Sequence, residues 1–204
     1  MYEVQAKCRG QMILLLSYPR SGNTFVRQVL KEAFGTNSYS IYPGEYLTEH
    51  YGGWINAENV EELPVVFVKS HKKLKNWQGL VWHIVRDGRD AVVSLRKWNR
   101  NPTSGRGNEW SQHVQLFESL ANHTTKFEDL IDNPIGTVQA GIDSLGLSDV
   151  VRRTGETLTP FSELQASNGE MWREGHTGGW VYQMPDVAEF MSENRQAMQE
   201  MNYA

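Results

Sequence analysis

The sequence predicts an α/β fold in which a central, mostly parallel sheet of about four or five strands is flanked by helices. Two observations predict it. Short apolar runs of strand length alternate along the 204 residues with segments of helical periodicity. The connections are short, which favours parallel strands whose carboxyl ends meet at one edge of the sheet. Because no linker, repeat or low-complexity tract is visible, we expect one domain over residues 1–204.

Apolar runs predict strands at 11–17, 63–70, 80–86 and 124–127. Helical periodicity predicts helices at 24–34, 88–98, 109–121 and 134–146, a short helix from 159 and a C-terminal helix from about 185. Gly35, Asp87 and Asn133 are the expected capping residues. Residues 36–64 and 99–108 lack clear periodicity and are interpreted as irregular acceptor-side or lid segments.

Composition narrows the class of protein. Hydrophobic residues make up 39% and charged residues 22% of the chain, which is ordinary for a globular protein. No long apolar run and no basic-then-apolar N-terminus is visible, so we expect neither a membrane anchor nor a signal peptide. The single cysteine, Cys8, excludes an internal disulfide and fits a reducing cytoplasm. The net charge of −4 argues against a nucleic-acid partner.

Positive charge is concentrated in one window. Residues 69–100 contain nine lysines and arginines against two acids, Asp87 and Asp90. A strongly positive window inside an acidic protein suggests a localised anion site, since an ordinary surface usually mixes the two signs.

The segment Ser17–Thr24 follows the first predicted strand and opens a helix, which is the setting of a phosphate-binding loop. Compared with G-x-x-x-x-G-K-[ST], it has Ser17 at the first glycine and Asn23 at the lysine, while Gly22 and Thr24 match. A cation, Arg20, lies three residues upstream of the lysine position. The loop therefore predicts a P-loop-type three-layer fold that binds a phosphate ester other than ATP.

Five motifs resemble those of the PAPS-dependent sulfotransferases, in the same order. They are Tyr-Pro-Arg-Ser-Gly-Asn-Thr-Phe (18–25), Val-Lys-Ser-His (68–71), Arg-Asp-Gly-Arg-Asp-Ala-Val-Val-Ser (86–94), Phe-Glu-Asp-Leu (127–130) and Arg-Glu-Gly-His-Thr-Gly-Gly-Trp (173–180). That family transfers a sulfuryl group from 3′-phosphoadenosine 5′-phosphosulfate (PAPS) to an acceptor and releases PAP. The resemblance covers about residues 11–183, and the chain resembles a short, bacterial- or phage-like member.

The resemblance implies a set of nucleotide-binding residues. These are Arg20, Ser21, Gly22, Asn23, Thr24, Phe25, Arg86, Ser94, Phe127, Arg173, Glu174 and Gly175. The loop amides and the Thr24 hydroxyl would bind the 5′-phosphosulfate, and Phe25 and Phe127 would contact the adenine. Arg86 and Ser94 would hold the 3′-phosphate together with the loop of Arg173 and Gly175, in which Glu174 removes one cation. Four residues depart from the family pattern: Arg20 and Glu174 stand for lysines, Phe25 for a tryptophan and Phe127 for a tyrosine.

Catalysis is assigned to His71, Lys69 and Arg20. Sulfuryl transfer to a hydroxyl needs a proton acceptor, and a neutral imidazole titrates in the right range, so His71 is the expected general base. Lys69 precedes it by two residues and would share its face if the strand extends that far; there it could neutralise charge on the transferred group. His113 is the second candidate. The family needs no metal, and the chain shows no metal-ligand spacing.

Two other functions remain open. A P-loop kinase or NTPase would need a lysine at position 23 and a carboxylate that organises Mg²⁺, whereas a non-catalytic PAP- or PAPS-binding module would tolerate the four departures. The acceptor could be a small molecule, a glycan or a peptide that offers a hydroxyl or an amine. Aromatic residues in 36–64 favour a flat or sugar-like acceptor: Tyr39, Tyr42, Tyr46, Tyr51 and Trp54. The short acceptor side is also compatible with a site completed in a homodimer.

Overall fold

The computed structural model, which describes residues 8–42, 60–167 and 177–203, contains the expected sheet. Within these residues the sheet has five strands, each parallel to its neighbours, in the order β2-β3-β1-β4-β5. The strands are β1 (Gln11–Ser17), β2 (Ser38–Ser40), β3 (Val65–Ser70), β4 (Leu80–Val85) and β5 (His123–Lys126). The predicted α/β fold is thus confirmed.

The three central strands form because their residues suit burial on both faces. β1 reads Gln-Met-Ile-Leu-Leu-Leu-Ser, and all of it except Gln11 is buried. β3 is buried throughout, as central strands of a parallel sheet must be. In the pairing register Leu16 lies opposite both Ser70 of β3 and His83 of β4. The carboxyl ends of these three strands therefore meet at one edge.

Helices cover both faces of the sheet. In the described part of the chain they are α1 (Asn23–Phe34), α2 (Gly88–Asn99), α3 (Glu109–Glu118), α4 (Phe127–Asp132), α5 (Pro134–Ser144), α6 (Phe161–Ser167) and α7 (Val187–Glu200). Short 3-10 helices occupy Val60–Glu62 and Gly179–Tyr182. No helix among these residues is long and apolar enough to cross a membrane.

The alternating side chains of β1 divide the core into two layers. Ile13 and Leu15 pack with α1 and α5 on one face, around the buried indole of Trp82. Leu14 and Leu16 pack on the other face against Phe117 of α3. A third cluster joins α2, α3 and α7 beyond the end of β4. This arrangement gives the three layers that the sequence predicts.

The capping predictions are confirmed by the geometry of the helix ends. Gly35 ends α1 with a left-handed φ of 59°, and its N–H donates to the Lys31 carbonyl. The Asp87 carboxylate accepts from the Arg89 N–H at the start of α2. Asn133 accepts from the Gly136 N–H, and Pro134 is the first residue of α5.

The structure corrects three predicted boundaries. Residues 36–64 are not wholly irregular, because they contain β2 and the 3-10 helix at Val60–Glu62; positions 43–59 lie outside the described residues. The fourth predicted strand ends one residue earlier, since Phe127 begins α4. The helix predicted at 109–121 ends at Glu118. Asn99 is the last residue of α2, and the segment that follows it contains turns, as predicted.

β2 was missed because a tertiary contact, rather than an apolar pattern, holds it. Its sequence is Ser-Tyr-Ser, and both serines are buried. The Ser38 hydroxyl accepts a hydrogen bond of 2.7 Å from Nε of Arg27, which is buried on α1. A three-residue polar strand that depends on a distant guanidinium leaves no periodicity to read.

The contact between α5 and β4 yields a stability prediction. A Cβ atom at Gly141 would lie 2.2 Å from Cζ2 of Trp82. We expect Gly141→Ala to lower the free energy of unfolding by about 1–3 kcal/mol through overpacking, although alanine is favoured over glycine in a helix by about 1 kcal/mol. Urea unfolding measures the change.

The neighbouring exposed residue provides the control. Ala140→Gly should cost only the propensity difference of about 1 kcal/mol. A Gly141→Ala variant more stable than the wild type would contradict the close packing of α5 on Trp82.

Candidate functional site

The predicted phosphate-binding loop connects the end of β1 to the start of α1. Two of its residues have left-handed backbone conformations, Arg20 at φ 69° and Gly22 at φ 94°. The Gly22 carbonyl accepts from the N–H groups of Phe25 and Val26, which starts the helix. The first amides of α1 have no intrahelical acceptor, and the positive end of the helix dipole lies at the loop. The backbone therefore has the form of an anion site.

Gly22 is required at its position for two reasons. Its φ of 94° is one that side-chain-bearing residues rarely adopt, and an added Cβ would lie 2.4 Å from Cδ2 of Phe127. Phe127, predicted to contact the adenine, thus packs directly against the loop.

Ser21 and Thr24 place hydroxyl groups in the loop region. Ser21 is 1% exposed, and its Oγ has no hydrogen-bond partner among the described residues. An unpaired buried hydroxyl costs about 1–3 kcal/mol, which a ligand or water bonded there would recover. Thr24 is half-buried on the first turn of α1, and Phe25 beside it packs against the α1 face of the core.

Asn23, which replaces the lysine of the ATP-binding loop, turns its side chain towards β1. Its Nδ2 donates to the Leu15 carbonyl at 2.8 Å and to Ser17 Oγ at 3.2 Å, and the residue is 3% exposed. Both N–H bonds of the amide are therefore used within the protein. The backbone N–H of Asn23 remains the predicted phosphate ligand, while its side chain bonds to β1.

His71 follows β3 and lies against the start of the loop. Its Nδ1 is 3.1 Å from Ser17 Oγ and 3.0 Å from the Ser17 carbonyl oxygen. A carbonyl oxygen can only accept, so Nδ1 carries the proton in the neutral ring and Nε2 carries the lone pair. The imidazole is thus held in the tautomer in which Nε2 acts as a base.

Lys69, the fifth residue of β3, and His71, which follows that strand, both lie near Tyr42; because β3 ends at Ser70, the strand alternation that predicted a shared face does not extend to His71. Lys69 is 4% exposed, and its Nζ lies 5.8 Å from the centroid of the Tyr42 ring. The Tyr42 ring is also 5.4 Å from that of His71, and its hydroxyl accepts from the His71 N–H at 2.9 Å. Tyr42 therefore supports both residues.

From the sequence, Tyr42 was interpreted only as one of several aromatic residues on the acceptor side. Its position beside His71 depends on β2, which ends two residues earlier and pairs with β3. Because β2 was not predicted, neither was this contact.

Arg86 follows β4 on the opposite side of the loop. Its guanidinium carbon lies 4.4 Å from the centroid of the Phe127 ring, and Nη1 donates to the Arg20 carbonyl at 3.2 Å. Burial lowers the pKa of Arg86, and the carboxylates of Asp90, Glu128 and Asp87 oppose the shift. A guanidinium keeps its charge in proteins, so Arg86 is a buried cation at the edge of the loop.

Arg20 points to α2. Its Nε donates to Ser94 Oγ at 3.1 Å, and its guanidinium carbon lies 5.0 Å from the centroid of the Trp98 ring. The structure thus groups Arg20 with Ser94 and Arg86, whereas the sequence expectation also placed it with the catalytic residues. The contacts of Arg20 with Ser94, Trp98 and Arg86 lie on the β4 side of the loop, while those of Lys69 and His71 with Tyr42 lie on the β3 side.

Two arginines of the positive window form ion pairs within the protein. Arg89 forms an ion pair with Asp87 at 2.6 Å, and Arg96 forms one with Asp186 at 2.7 Å. Both arginines therefore join structural elements. Within the window, Lys69 and Arg86 are the buried cations at the loop edge.

Asp90 of α2 and Glu128 of α4 hold neighbouring segments through hydrogen bonds. Asp90 accepts from the N–H groups of Gly178 and Trp180 at 2.7 and 3.0 Å. Glu128 accepts from the Asp87 N–H and from the Tyr203 hydroxyl. The predicted residues Arg173, Glu174 and Gly175 lie outside the described residues, but Asp90 anchors the chain shortly after them.

His113, the second candidate base, lies on α3 with its Nδ1 bonded to the Glu109 carbonyl at 2.8 Å. Its ring contacts those of Tyr18 and Phe117, at 5.3 and 5.4 Å between centroids. Among the residues that the structure describes, no group of three or more His, Cys, Asp or Glu side chains could hold a metal ion.

Comparison with known proteins gives a match at the level of structure. No protein-family model and no curated protein sequence matches the chain. Among solved structures, the chain is similar to the mouse sulfotransferase SULT7A1 complexed with PAP, with a TM-score of 0.61. The match has 18% sequence identity and covers 100% of this chain and 93% of that chain. At this identity the likeness shows a shared fold.

The loop geometry yields a second stability prediction. Gly22 and Gly107 both have positive φ, 94° and 72°, but a Cβ would contact Phe127 only at Gly22, while nothing lies within 4 Å at Gly107. Gly107→Ala should therefore cost only backbone strain, about 1–2 kcal/mol. Gly22→Ala should cost roughly 1–3 kcal/mol more, because it also overpacks.

Unfolding of the two variants and the wild type in guanidinium chloride measures this difference in the free energy of unfolding. Equal losses at the two glycines would mean that Phe127 does not press on the loop.

Proposed function

We propose that this protein is a sulfotransferase that moves the sulfuryl group of PAPS to the hydroxyl of an acceptor. The arrangement of charge around the loop carries the proposal. Lys69 lies near the end of β3, His71 follows that strand, Arg86 follows β4, and β1 with the loop lies between the two strands. Neighbouring strands are about 4.8 Å apart, so the strands that carry these groups are about 10 Å apart. Such a site suits a ligand with two separated anionic groups.

The β4 side would hold the 3′-phosphate of the nucleotide. Arg86 supplies a buried guanidinium, and Ser94 Oγ already accepts from Arg20, so its own proton can be donated to a phosphate oxygen. The 5′-phosphosulfate would lie on the loop amides and near Ser21 Oγ. The similarity to a PAP-bound sulfotransferase supports this placement, since PAP carries both phosphates.

The β3 side would perform the transfer. The acceptor oxygen attacks the sulfur atom, the bond from sulfur to the bridging phosphate oxygen breaks, and PAP leaves with that electron pair. The acceptor proton passes to Nε2 of His71, whose Nδ1 proton is held by the Ser17 carbonyl. Lys69, buried near the end of β3, would stabilise the charge on the sulfuryl oxygens.

Asn23 disfavours an ATP-dependent kinase. The lysine that would contact the β- and γ-phosphates is replaced by an amide whose two donors bind Leu15 and Ser17. A non-catalytic PAP-binding module is the second candidate. Arg20 contacts Ser94 and Trp98, so it would not help Lys69 to stabilise the charge of the transferred group.

Thermal-shift and calorimetric titrations with PAP and with ATP and Mg²⁺ separate these functions. The proposal expects stabilisation by PAP at micromolar concentration and little effect of ATP. Stabilisation by ATP and Mg²⁺ alone would exclude it. Tight PAP binding without transfer from labelled PAPS, across phenols, alcohols, sugars and peptides, would indicate the non-catalytic module.

For an acceptor that is turned over, His71→Ala should reduce kcat by about 10²- to 10⁴-fold, the range of a general base. The affinity for PAP should change little, because the loop and Arg86 are untouched. His123→Gln is the control, since that imidazole lies on the edge strand β5 and bonds to Thr125. A His71→Ala variant with full activity would remove His71 as the base.

A further inference from the structure

We infer that Asn23 is a positioning residue for His71 and acts on it through Ser17; the inference rests on the proposed role of His71 as the base. The lysine position of the loop would then serve the proton acceptor instead of the phosphate. The route consists of two contacts: Asn23 Nδ2 to Ser17 Oγ at 3.2 Å, and Ser17 Oγ to His71 Nδ1 at 3.1 Å.

The orientation of the Asn23 amide is set by its donors. Nδ2 reaches both the Leu15 carbonyl and Ser17 Oγ, whereas Oδ1 is buried with no hydrogen-bond partner among the described residues. The flipped amide would place two acceptor oxygens 2.8 Å apart at Leu15 and remove the donor to Ser17. The two hydrogen bonds that Nδ2 donates to β1 therefore fix the orientation of the amide.

The hydrogen bond that Asn23 donates to Ser17 Oγ determines which acceptors Ser17 presents to His71. With one lone pair of Oγ occupied by Asn23, the other lone pair and the Ser17 carbonyl both face Nδ1 of the imidazole. Two acceptors at 3.0 and 3.1 Å favour the Nδ1–H tautomer and fix the plane of the ring. Nε2 is then the basic atom, as a general base requires.

The same contacts couple the base to the anion loop. Asn23 is the first residue of α1, Ser17 is the last residue of β1, and His71 follows β3. Ser17 is fully buried in the sheet and provides a rigid reference. Asn23 therefore sets the position of the base relative to the helix end that would bind the leaving group, an alignment that governs transfer rates.

The test measures the tautomer of His71 in the unliganded protein by NMR with ¹⁵N-labelled histidine. The His71 signals are assigned by their loss in His71→Gln. We expect the Nδ1–H tautomer in the wild type and a smaller Nδ1–H fraction in Asn23→Ala and Ser17→Ala, in which the Ser17 carbonyl is the acceptor that remains. Ser17→Thr keeps the hydroxyl and should retain the wild-type tautomer.

Asn194→Ala is the matched control for stability. Asn194 is likewise a buried amide that donates to two backbone carbonyls, those of Gly107 and Phe190, but it lies on α7. The Asn194→Ala variant should be less stable than the wild type, but its His71 signals should be unchanged. An Nε2–H tautomer in the wild type, or an unchanged His71 tautomer in both Asn23→Ala and Ser17→Ala, would overturn the inference.

A kinetic measurement adds a readout that a structural role would not move. In Asn23→Ala, kcat should fall about 10- to 100-fold, the range for residues that orient a histidine, while PAP affinity stays within about 2-fold since the backbone amides remain. A wild type without transfer would overturn the proposed function, yet the NMR result would still decide whether Asn23 positions His71. Unchanged kcat in Asn23→Ala would overturn the inference.

Discussion

The parallel pairing of β1 between β3 and β4 is the constraint on which the site depends. Because all three strands run in one direction, Ser17, Ser70 and Val85 end at the same edge, and the chain that follows each of them enters a common space. The loop before α1, the Lys69–His71 pair and Arg86 converge there without any direct sequence connection. Ligands of open parallel sheets bind at this edge for the same reason.

Burial of cations at this edge sets its electrostatic character. Lys69 and Arg86 are both less than a tenth exposed, and the carboxylates near Arg86 each accept hydrogen bonds from other groups. Charge interactions in such surroundings are several-fold stronger than in water. An anionic ligand across the loop would meet cations from two strands, together with the dipole of α1. Under the proposed function, these cations would meet the phosphates at two positions of PAPS.

The sequence predicted those parts of the fold that local chemistry determines. Apolar runs identified β1, β3 and β4, and the residues Gly35, Asp87 and Asn133 marked helix ends because capping depends on neighbouring backbone groups. The loop and the position of His71 after a strand could be read in the same way. The roles of His71, Lys69 and Arg86 stay predictions until ligands are tested.

Contacts between distant segments could not be read from the sequence. β2 depends on a buried Arg27, Tyr42 meets His71 only through that strand, and Arg20 turns to Ser94 and Trp98 on α2. The Asn23 side chain shows the same limit, since its identity as a departure from the ATP loop was visible but its direction towards β1 was not. Tyr42 and Arg20 bond to residues 29 and 74 positions away, whereas Arg27 and Asn23 bond to neighbouring elements 6 to 11 positions away; none of these contacts leaves a periodic pattern.

Recognition of a 3′-phosphate is the central claim, and calorimetric titration with PAP and with adenosine 5′-phosphate tests it most directly. The two ligands differ only in that phosphate. Two charge-assisted hydrogen bonds from Arg86 and Ser94 predict that PAP binds about 100-fold more tightly or better, and that Ser94→Ala narrows the difference. Equal affinity for the two ligands, or a difference that Ser94→Ala leaves unchanged, would contradict the assignment of this edge to PAPS.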